Sequence, residues 1–101
     1  LRRKGLRIVE MNHYSRFGEI DIIARREGIY HFVEVKTRLG DGYGKASESV
    51  SGIKLSRFER SVRQYIKKKS IENDEISLDL IAVDIENDGT IEVEWIENIT
   101  L

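Results

Sequence analysis

The chain contains neither cysteine nor proline. The absence of cysteine excludes disulfides and thiolate metal sites, which fits a reducing cytosol. No apolar run reaches the roughly 18 residues that a membrane-spanning helix needs, and there is no signal-peptide pattern, so we expect a soluble, cytoplasmic protein without a membrane partner. Repeats, proline-rich linkers and low-complexity tracts are also absent, and 101 residues suffice for one domain with a single modest core.

Net charge is nearly absent too, at −1, but the charges are unevenly distributed. Residues 54–69 contain seven basic residues and one acid, Glu59. Residues 70–101 contain ten acids and no lysine or arginine. The sequence therefore predicts a molecule with a basic face and an acidic end.

The basic segment is predicted to form a helix over residues 53–69. Apolar residues at spacings of three and four mark its buried face: Leu55, Phe58, Val62, Tyr65 and Ile66. Ser56 and Glu59 match a capping box, which predicts that the regular helix begins at Ser56. The basic residues occupy the opposite face. A solvated face is the usual explanation, but the excess of cations is greater than solubility requires and favours contact with nucleic-acid phosphates.

The most informative stretch is residues 18–38, GEIDIIARREGIYHFVEVKTR. Its alternation of polar and apolar residues predicts two strands, residues 19–26 and 29–38. A two-residue turn at Glu27-Gly28 would join them, because glycine supplies the positive φ that a tight hairpin needs. A longer turn would shift the register by one residue and exchange the faces of one strand.

In the two-residue register, Asp21 lies opposite Glu34 and Glu19 lies opposite Lys36, with all four side chains on one face. Opposed carboxylates repel each other, and a bound Mg²⁺ would turn the repulsion into coordination. Lys36 could then orient or deprotonate an attacking water, or offset charge on a phosphorane. The alternative is that these charged residues share an exposed strand face by chance, since 35% of the residues are charged. The apolar neighbours favour a buried strand pair instead, where unmatched charges are costly.

The motifs GEIDIIA and FVEVKTR together resemble the bacterial YraN-like family of uncharacterised proteins. They are also similar to the wider PD-(D/E)xK nuclease superfamily, which includes archaeal Holliday-junction resolvases and many restriction enzymes. The resemblance continues to Gly44, Ala46, Glu48, Lys54 and residues 78–82, and so covers nearly the whole chain. It implies that Asp21 and Glu34 bind Mg²⁺ or Mn²⁺, that Glu19 is an additional acid, and that Lys36 assists the attacking water.

The fold implied by the resemblance is α/β, a restriction-endonuclease-like mixed sheet of about five strands flanked by helices, with residues 1–101 as one nuclease-like domain. Further strands are predicted at residues 7–14, 75–86 and 90–99, the last two around the turn at residues 87–89. Residues 1–6 read as a helix end. Family members carry a longer N-terminal helix with a glutamate facing the active site. No residue here fills that role, so either this helix is truncated or the fourth acidic position is absent.

Several residues are candidates for contact with nucleic acid. Residues 39–52 are rich in glycine and small polar residues, which predicts a loop that grips substrate or acts as a lid. Within it, Tyr43 could stack on a base or sugar, and Lys45 could reach a phosphate. The full set of candidates is Arg16, Arg38, Tyr43, Lys45, Lys54 and Arg57.

Three other polar residues have less specific patterns. His13 has no partner at ligand spacing, which favours a surface residue over a metal ligand or general base. His31 is predicted to lie opposite Ala24 in the hairpin. Asp79 lies within the apolar run of residues 78–85, and a structural acid with a main-chain partner is favoured over a role behind the metal.

The leading hypothesis is a Mg²⁺- or Mn²⁺-dependent endonuclease acting on DNA, with structured or branched DNA as a candidate substrate. One alternative is a nucleic-acid-binding module whose active site has lapsed. Another is a structural or adaptor domain that meets its partner through the acidic hairpin, the predicted strand pair of residues 75–86 and 90–99. A homodimer is a further expectation from related resolvases, because a four-way junction has two-fold symmetry.

Overall fold

The structure, a computed structural model, describes residues 5–40 and 52–99. Within these ranges it contains five strands and one helix. In chain order they are β1 (Arg7–Ser15), β2 (Gly18–Arg26), β3 (Ile29–Leu39), α1 (Gly52–Lys69), β4 (Glu75–Ile85) and β5 (Ile91–Ile96).

The five strands form one sheet in the order β1-β2-β3-β4-β5. Neighbouring strands are antiparallel except β3 and β4, which are parallel. Parallel neighbours need a crossover connection, and α1 lies in the connection between β3 and β4. This mixed sheet with its helix confirms the predicted α/β class and is consistent with a restriction-endonuclease-like core.

The β2–β3 hairpin has the predicted register. Glu27 and Gly28 form the turn with φ values of +52° and +80°, the pattern of a type I′ turn, whose twist matches that of the paired strands. Pairing runs from Arg26–Ile29 to Ile22–Val33 and includes Ala24 opposite His31, as predicted. The two-residue turn therefore determines which residues of β2 and β3 share a face.

Helix α1 packs on one face of the sheet, here called the helix side. A buried cluster joins helix and sheet there: Ile20, Ile23, Phe32, Phe58, Val62 and Tyr65. The rings of Phe32 and Tyr65 meet edge to face, with centroids 5.5 Å apart. The predicted apolar stripe of the helix is confirmed, with Leu55 and Ile66 partly buried at its margins.

The opposite face, here called the far side, carries a second buried cluster. It contains Leu6, Ile22, Ala24, Val33 and Ile81. Trp95 packs against this cluster. Both faces of the central strands are thus apolar, which explains the nearly continuous apolar runs in their sequences.

Several element boundaries differ from the predictions, among them those of α1, β1 and β5. Helix α1 begins at Gly52, so Ser56 lies inside it and the predicted capping box is not the helix start. Strand β1 continues to Ser15, which pairs with Gly18, so the turn is shorter than expected. Strand β5 ends at Ile96, because the N–H groups of Asn98 and Ile99 then bond to Asp79 and Leu78 instead of continuing the β5 ladder.

The predicted turn at residues 87–89 is confirmed. Gly89 has φ +89°, and the Glu86 N–H donates to the Thr90 carbonyl at 2.8 Å. The Thr90 side-chain hydroxyl lowers the pKa of Asp88 most, and the Thr90 N–H, which donates to the Asp88 carboxylate at 2.9 Å, lowers it further. Residues 1–4 and 41–51, which carry the predicted helix end and most of the glycine-rich loop, lie outside the described ranges. In the part of the chain that is described, no helix has both the length and the apolarity to cross a membrane.

Candidate active site

A cleft of about 380 Å³ opens on the helix side, between α1 and the ends of β2 and β3. Three carboxylate side chains line it, those of Glu19, Asp21 and Glu34. Arg57 of α1 lines the same cleft, together with Phe17, Gly18, Val35, Phe58 and Ser61. The structure therefore brings the three predicted acids together beside one cation of the basic helix.

Asp21 lies where the β2–β3 pairing stops. The ladder ends at Ile22–Val33, so the expected cross-strand pairs Asp21–Glu34 and Glu19–Lys36 fall beyond it. Instead, the Asp21 Oδ2 accepts the main-chain N–H of Val35 at 2.7 Å. The Asp21 side chain thus takes the place of a main-chain acceptor for the Val35 N–H. Asp21 and Glu34 line the cleft and are not opposed as a cross-strand pair.

The alternation of β2 also changes phase near Asp21. Ile20 and Ile23 are an odd number of residues apart, yet both belong to the helix-side cluster. In the neighbouring strand, the pairs step from Met11–Ile22 to His13–Ile20, and the intervening Asn12 has φ +53°. Strictly alternating side chains would put Ile20 and Ile23 on opposite faces. The irregularity lets β2 bury both isoleucines while Asp21 reaches the cleft.

Lys36 occupies the same face of β3 as Glu34, since both follow Phe32 in alternation toward the helix side. Lys36 is not among the described residues that line the cleft. Arg38 continues the same alternation and lies beside Asp84 of β4 in the parallel register. The assignment of Lys36 to the attacking water remains a prediction from the motif.

Tyr14 extends the acidic site onto β1. It pairs with Glu19 in the antiparallel register and is 74% exposed. A hydrogen bond to the Glu19 carboxylate raises the pKa of the Tyr14 hydroxyl, and the negative charges of Glu19 and Asp21 act in the same direction. Tyr14 and Glu19 therefore interact at the margin of the cleft. The pairing of Tyr14 with Glu19 depends on where β1 ends, which strand alternation does not determine.

Two of the six nucleic-acid candidates lie beside the acids. Arg57 lines the cleft itself, and Arg16 lines an adjoining cavity that also contains Arg57. Phe17 lines both cavities, a position that the sequence did not single out. The sequence feature that could have indicated Phe17 is an aromatic residue next to an arginine in a tight turn. Tyr43, Lys45 and the side chain of Lys54 lie outside the described residues.

The far side carries a separate polar network around Asp79, which is fully buried. The Asp79 carboxylate accepts hydrogen bonds from His31 Nδ1 at 2.7 Å, Trp95 Nε1 at 2.9 Å and the Asn98 N–H at 3.1 Å. It also accepts one from the Ser77 hydroxyl. The predicted main-chain partner of Asp79 is thus present, within a larger network on the face opposite the acids.

Potential metal-ligand atoms of His31, Asp79 and Glu97 lie within 4.8 Å of one another. A carboxylate offers about four lone-pair positions, and the four hydrogen bonds to Asp79 use all of them. This group is therefore better suited to holding β3, β4 and β5 together than to binding a cation. His13 is also absent from the described lining of the cleft. Its Nδ1 lies 2.7 Å from the Glu10 carboxylate, and its ring meets that of Tyr65 edge to face.

Fold and site together define an α/β protein with a carboxylate-lined cleft beside a basic helix. The chain belongs to the uncharacterised protein family UPF0102, whose family model matches residues 1–83, and the resemblance to the YraN-like group is thereby confirmed. It is 38% identical over 99 residues to a UPF0102 protein of Pelotomaculum thermopropionicum, covering 97% of this chain and 82% of the relative. It is 43% identical over 101 residues to one of Sulfurimonas denitrificans, covering 100% and 85%.

Proposed function

We propose that the chain is a Mg²⁺- or Mn²⁺-dependent endonuclease that hydrolyses phosphodiester bonds in DNA. The observation that carries the proposal is the convergence of Glu19, Asp21 and Glu34 on one cleft beside Arg57. Acids that bind a cation and a cation that contacts phosphate are the two parts that metal-assisted phosphodiester hydrolysis requires.

The residues of the cleft fit a hard divalent cation. Mg²⁺ and Mn²⁺ prefer carboxylate oxygens and keep water or phosphate oxygens as further ligands. Asp21 is positioned by the hydrogen bond from Val35 to its Oδ2, so its carboxylate does not need to reorganise on binding. Three carboxylates in one cleft repel each other, and a cation would remove that repulsion. Glu19, Asp21 and Glu34 are therefore the proposed ligands.

A bound Mg²⁺ or Mn²⁺ would supply a more acidic water and offset negative charge on the phosphate. The protein's own groups would do the rest. Lys36 would orient the attacking water and contribute positive charge, and Arg57 would bind the phosphate from the helix. Tyr14 would keep the Glu19 carboxylate in position through its hydrogen bond.

A second candidate function is nucleic-acid binding without cleavage. It is supported by the position of Lys36, which the described lining of the cleft does not include. The basic helix does not depend on the acids for its charge, and phosphate contacts alone would give binding with a steep salt dependence.

The test is a cleavage assay on labelled duplex, single-stranded and four-way-junction DNA with Mg²⁺, Mn²⁺ or EDTA. We expect cleavage with either metal and none with EDTA. Asp21→Asn is expected to abolish cleavage, and Lys36→Ala to reduce it by about 10²-fold or more. Matched controls are Glu94→Gln, an exposed acid on β5, and Lys68→Ala, an exposed lysine at the end of α1.

The outcome separates the candidates. Metal-dependent cuts that the two site variants lose and the two controls keep would establish the nuclease. Salt-sensitive DNA binding without cuts, unchanged in Asp21→Asn and Lys36→Ala, would establish the binding module. Failure to bind any nucleic acid at low salt would contradict both and favour an adaptor role for the acidic hairpin.

A further inference from the structure

The acid cleft does not end at Arg57 but continues along α1. A second cavity, of about 420 Å³, shares Phe17, Gly18 and Arg57 with the cleft. A third, of about 310 Å³, shares Arg16, Phe17 and Arg60 with the second. The shared linings join the three into a groove that runs from the acids past the β1–β2 turn.

One wall of this groove is the basic face of α1. Arg57, Arg60, Arg63 and Lys67 line it at successive turns of the helix. From Arg57 to Lys67 the helix rises about 15 Å. The wall thus offers a row of cations that leads away from the acids and could contact the phosphates of a strand.

The opposite wall is the turn between β1 and β2. Phe17 lies there and is the one described residue that lines all three cavities. The guanidinium of Arg16 lies over its ring, 4.9 Å from the centroid. An aromatic ring and a guanidinium plane are the two side-chain surfaces on which unpaired bases stack.

We infer that this groove holds an unpaired DNA strand next to the scissile phosphate. Phe17 and Arg16 stack on a base of that strand, and the helix wall binds its phosphates. The substrate class is then DNA in which a single-stranded arm adjoins the cut, as in a fork or flap. That the strand lies next to a scissile phosphate rests on the proposed nuclease function. The groove itself is defined by its lining residues, without reference to metal.

An unpaired strand fits better than an intact duplex for a steric reason. In a duplex both faces of each base are covered by its neighbours, so an aromatic side chain can stack only on an unpaired base or at an opened step. Phe17 lines an open groove together with Arg60, so a base that stacks on its ring would have its phosphates near that cation.

One acid of α1, Glu59, contacts a cation of the helix wall. The Glu59 carboxylate is 3.3 Å from the Arg63 guanidinium, in an i to i+4 ion pair. Arg63 is 74% exposed, so this pair adds little stability and a phosphate can replace the carboxylate. Glu59→Gln is therefore expected to strengthen binding of the single-stranded arm.

The test measures binding in EDTA, so that it does not depend on cleavage. The probes are a blunt duplex and forks of equal length with a 5′ or a 3′ arm, carrying 2-aminopurine at successive arm positions. We expect the protein to bind one fork about tenfold more tightly than the duplex. Fluorescence should change at one arm position, where the base stacks.

Phe17→Leu keeps an apolar side chain in the turn and removes the aromatic face, so it should fold and lose the fork preference. Phe17→Trp should keep it. Arg60→Gln should lower the slope of log K against log salt by about 0.7, the value for one phosphate contact on a single strand. Lys68→Gln removes the same charge from the same helix outside the described groove lining and should leave the fork preference unchanged.

The possible failures are distinguishable. Equal binding of fork and duplex, or equal effects of Phe17→Leu and Lys68→Gln, would overturn the groove while leaving metal-dependent cleavage of duplex intact. Fork preference with the expected variant effects, but no cleavage with Mg²⁺ or Mn²⁺, would keep the groove and refute the nuclease.

Discussion

The Asp21 carboxylate accepts the Val35 N–H at 2.7 Å where the pairing of β2 and β3 ends. One side chain therefore has two consequences. It satisfies a main-chain donor that a continued ladder would have satisfied, and it holds a carboxylate at the cleft that also contains Glu19 and Glu34.

The first prediction separates these two roles of Asp21. Asp21→Ala leaves the Val35 N–H without its acceptor and should destabilise the protein by about 1–3 kcal/mol. Asp21→Asn can keep the acceptor while removing the charge, and should be close to the parent protein in stability without metal. Urea unfolding in EDTA measures both. Equal destabilisation by the two substitutions would show that the charge, not the hydrogen bond, is what matters.

The second prediction concerns metal binding and stability. A cation that binds only the folded state stabilises it by mass action, by about 2.7 kcal/mol at one hundred times the Kd. Mg²⁺ or Mn²⁺ should therefore raise the Tm of the parent protein. Asp21→Asn and Glu34→Gln should lose this rise, and Glu94→Gln should keep it. A rise of the same size in all four proteins would assign the metal effect to the general surface charge.

The third prediction concerns the network on the far side. Asp79→Ala leaves His31 and three other donors without their common acceptor and should cost about 3–5 kcal/mol. Ser77→Ala removes one donor only and should cost about 1 kcal/mol. The folded Ser77→Ala protein should bind metal normally, because this network lies on the face opposite the acids. Loss of metal binding in that variant would instead couple the two faces.

The fourth prediction uses the ionisation of Tyr14. Its pKa is raised, so the folded protein retains the phenolic proton at a pH where the unfolded chain releases it. The Tyr14–Glu19 contact therefore contributes stability below pH 10 that is lost as the pH rises through the raised pKa. In Tyr14→Phe, an absorbance titration at alkaline pH should show one fewer tyrosine ionising at high pH. Glu19→Gln should shift that ionisation to lower pH; an unchanged titration would mean that the contact does not form.

The fifth prediction concerns the hairpin turn. Glu27 has φ +52°, a conformation that costs an ordinary residue about 1 kcal/mol and that asparagine adopts more readily. Glu27→Asn should therefore stabilise the protein by several tenths of a kcal/mol to about 1 kcal/mol. Glu94→Asn, on an exposed position of β5, is the control and should give no gain. Thermal unfolding of the two variants makes the comparison.

The sequence alone was sufficient for features that depend on near neighbours. Alternation identified the strands, glycine at position 28 identified the turn, and spacings of three and four identified the buried face of α1. The motif placed Glu19, Asp21 and Glu34 on adjacent strands. These predictions were correct because strand alternation, turn conformation and helix periodicity are determined over a few residues.

Other features were decided only by the tertiary structure, since they depend on residues far apart in the chain. Asp79 meets His31, 48 positions away, through the parallel pairing of β3 with β4. The end of the β2–β3 ladder at Asp21 reflects a competition between main-chain and side-chain acceptors that alternation does not reveal. Phe17 joins Arg57 and Arg60 because α1 packs beside the β1–β2 turn. Local pattern thus supplied the acids, and the packing of helix on sheet supplied the cleft that contains them.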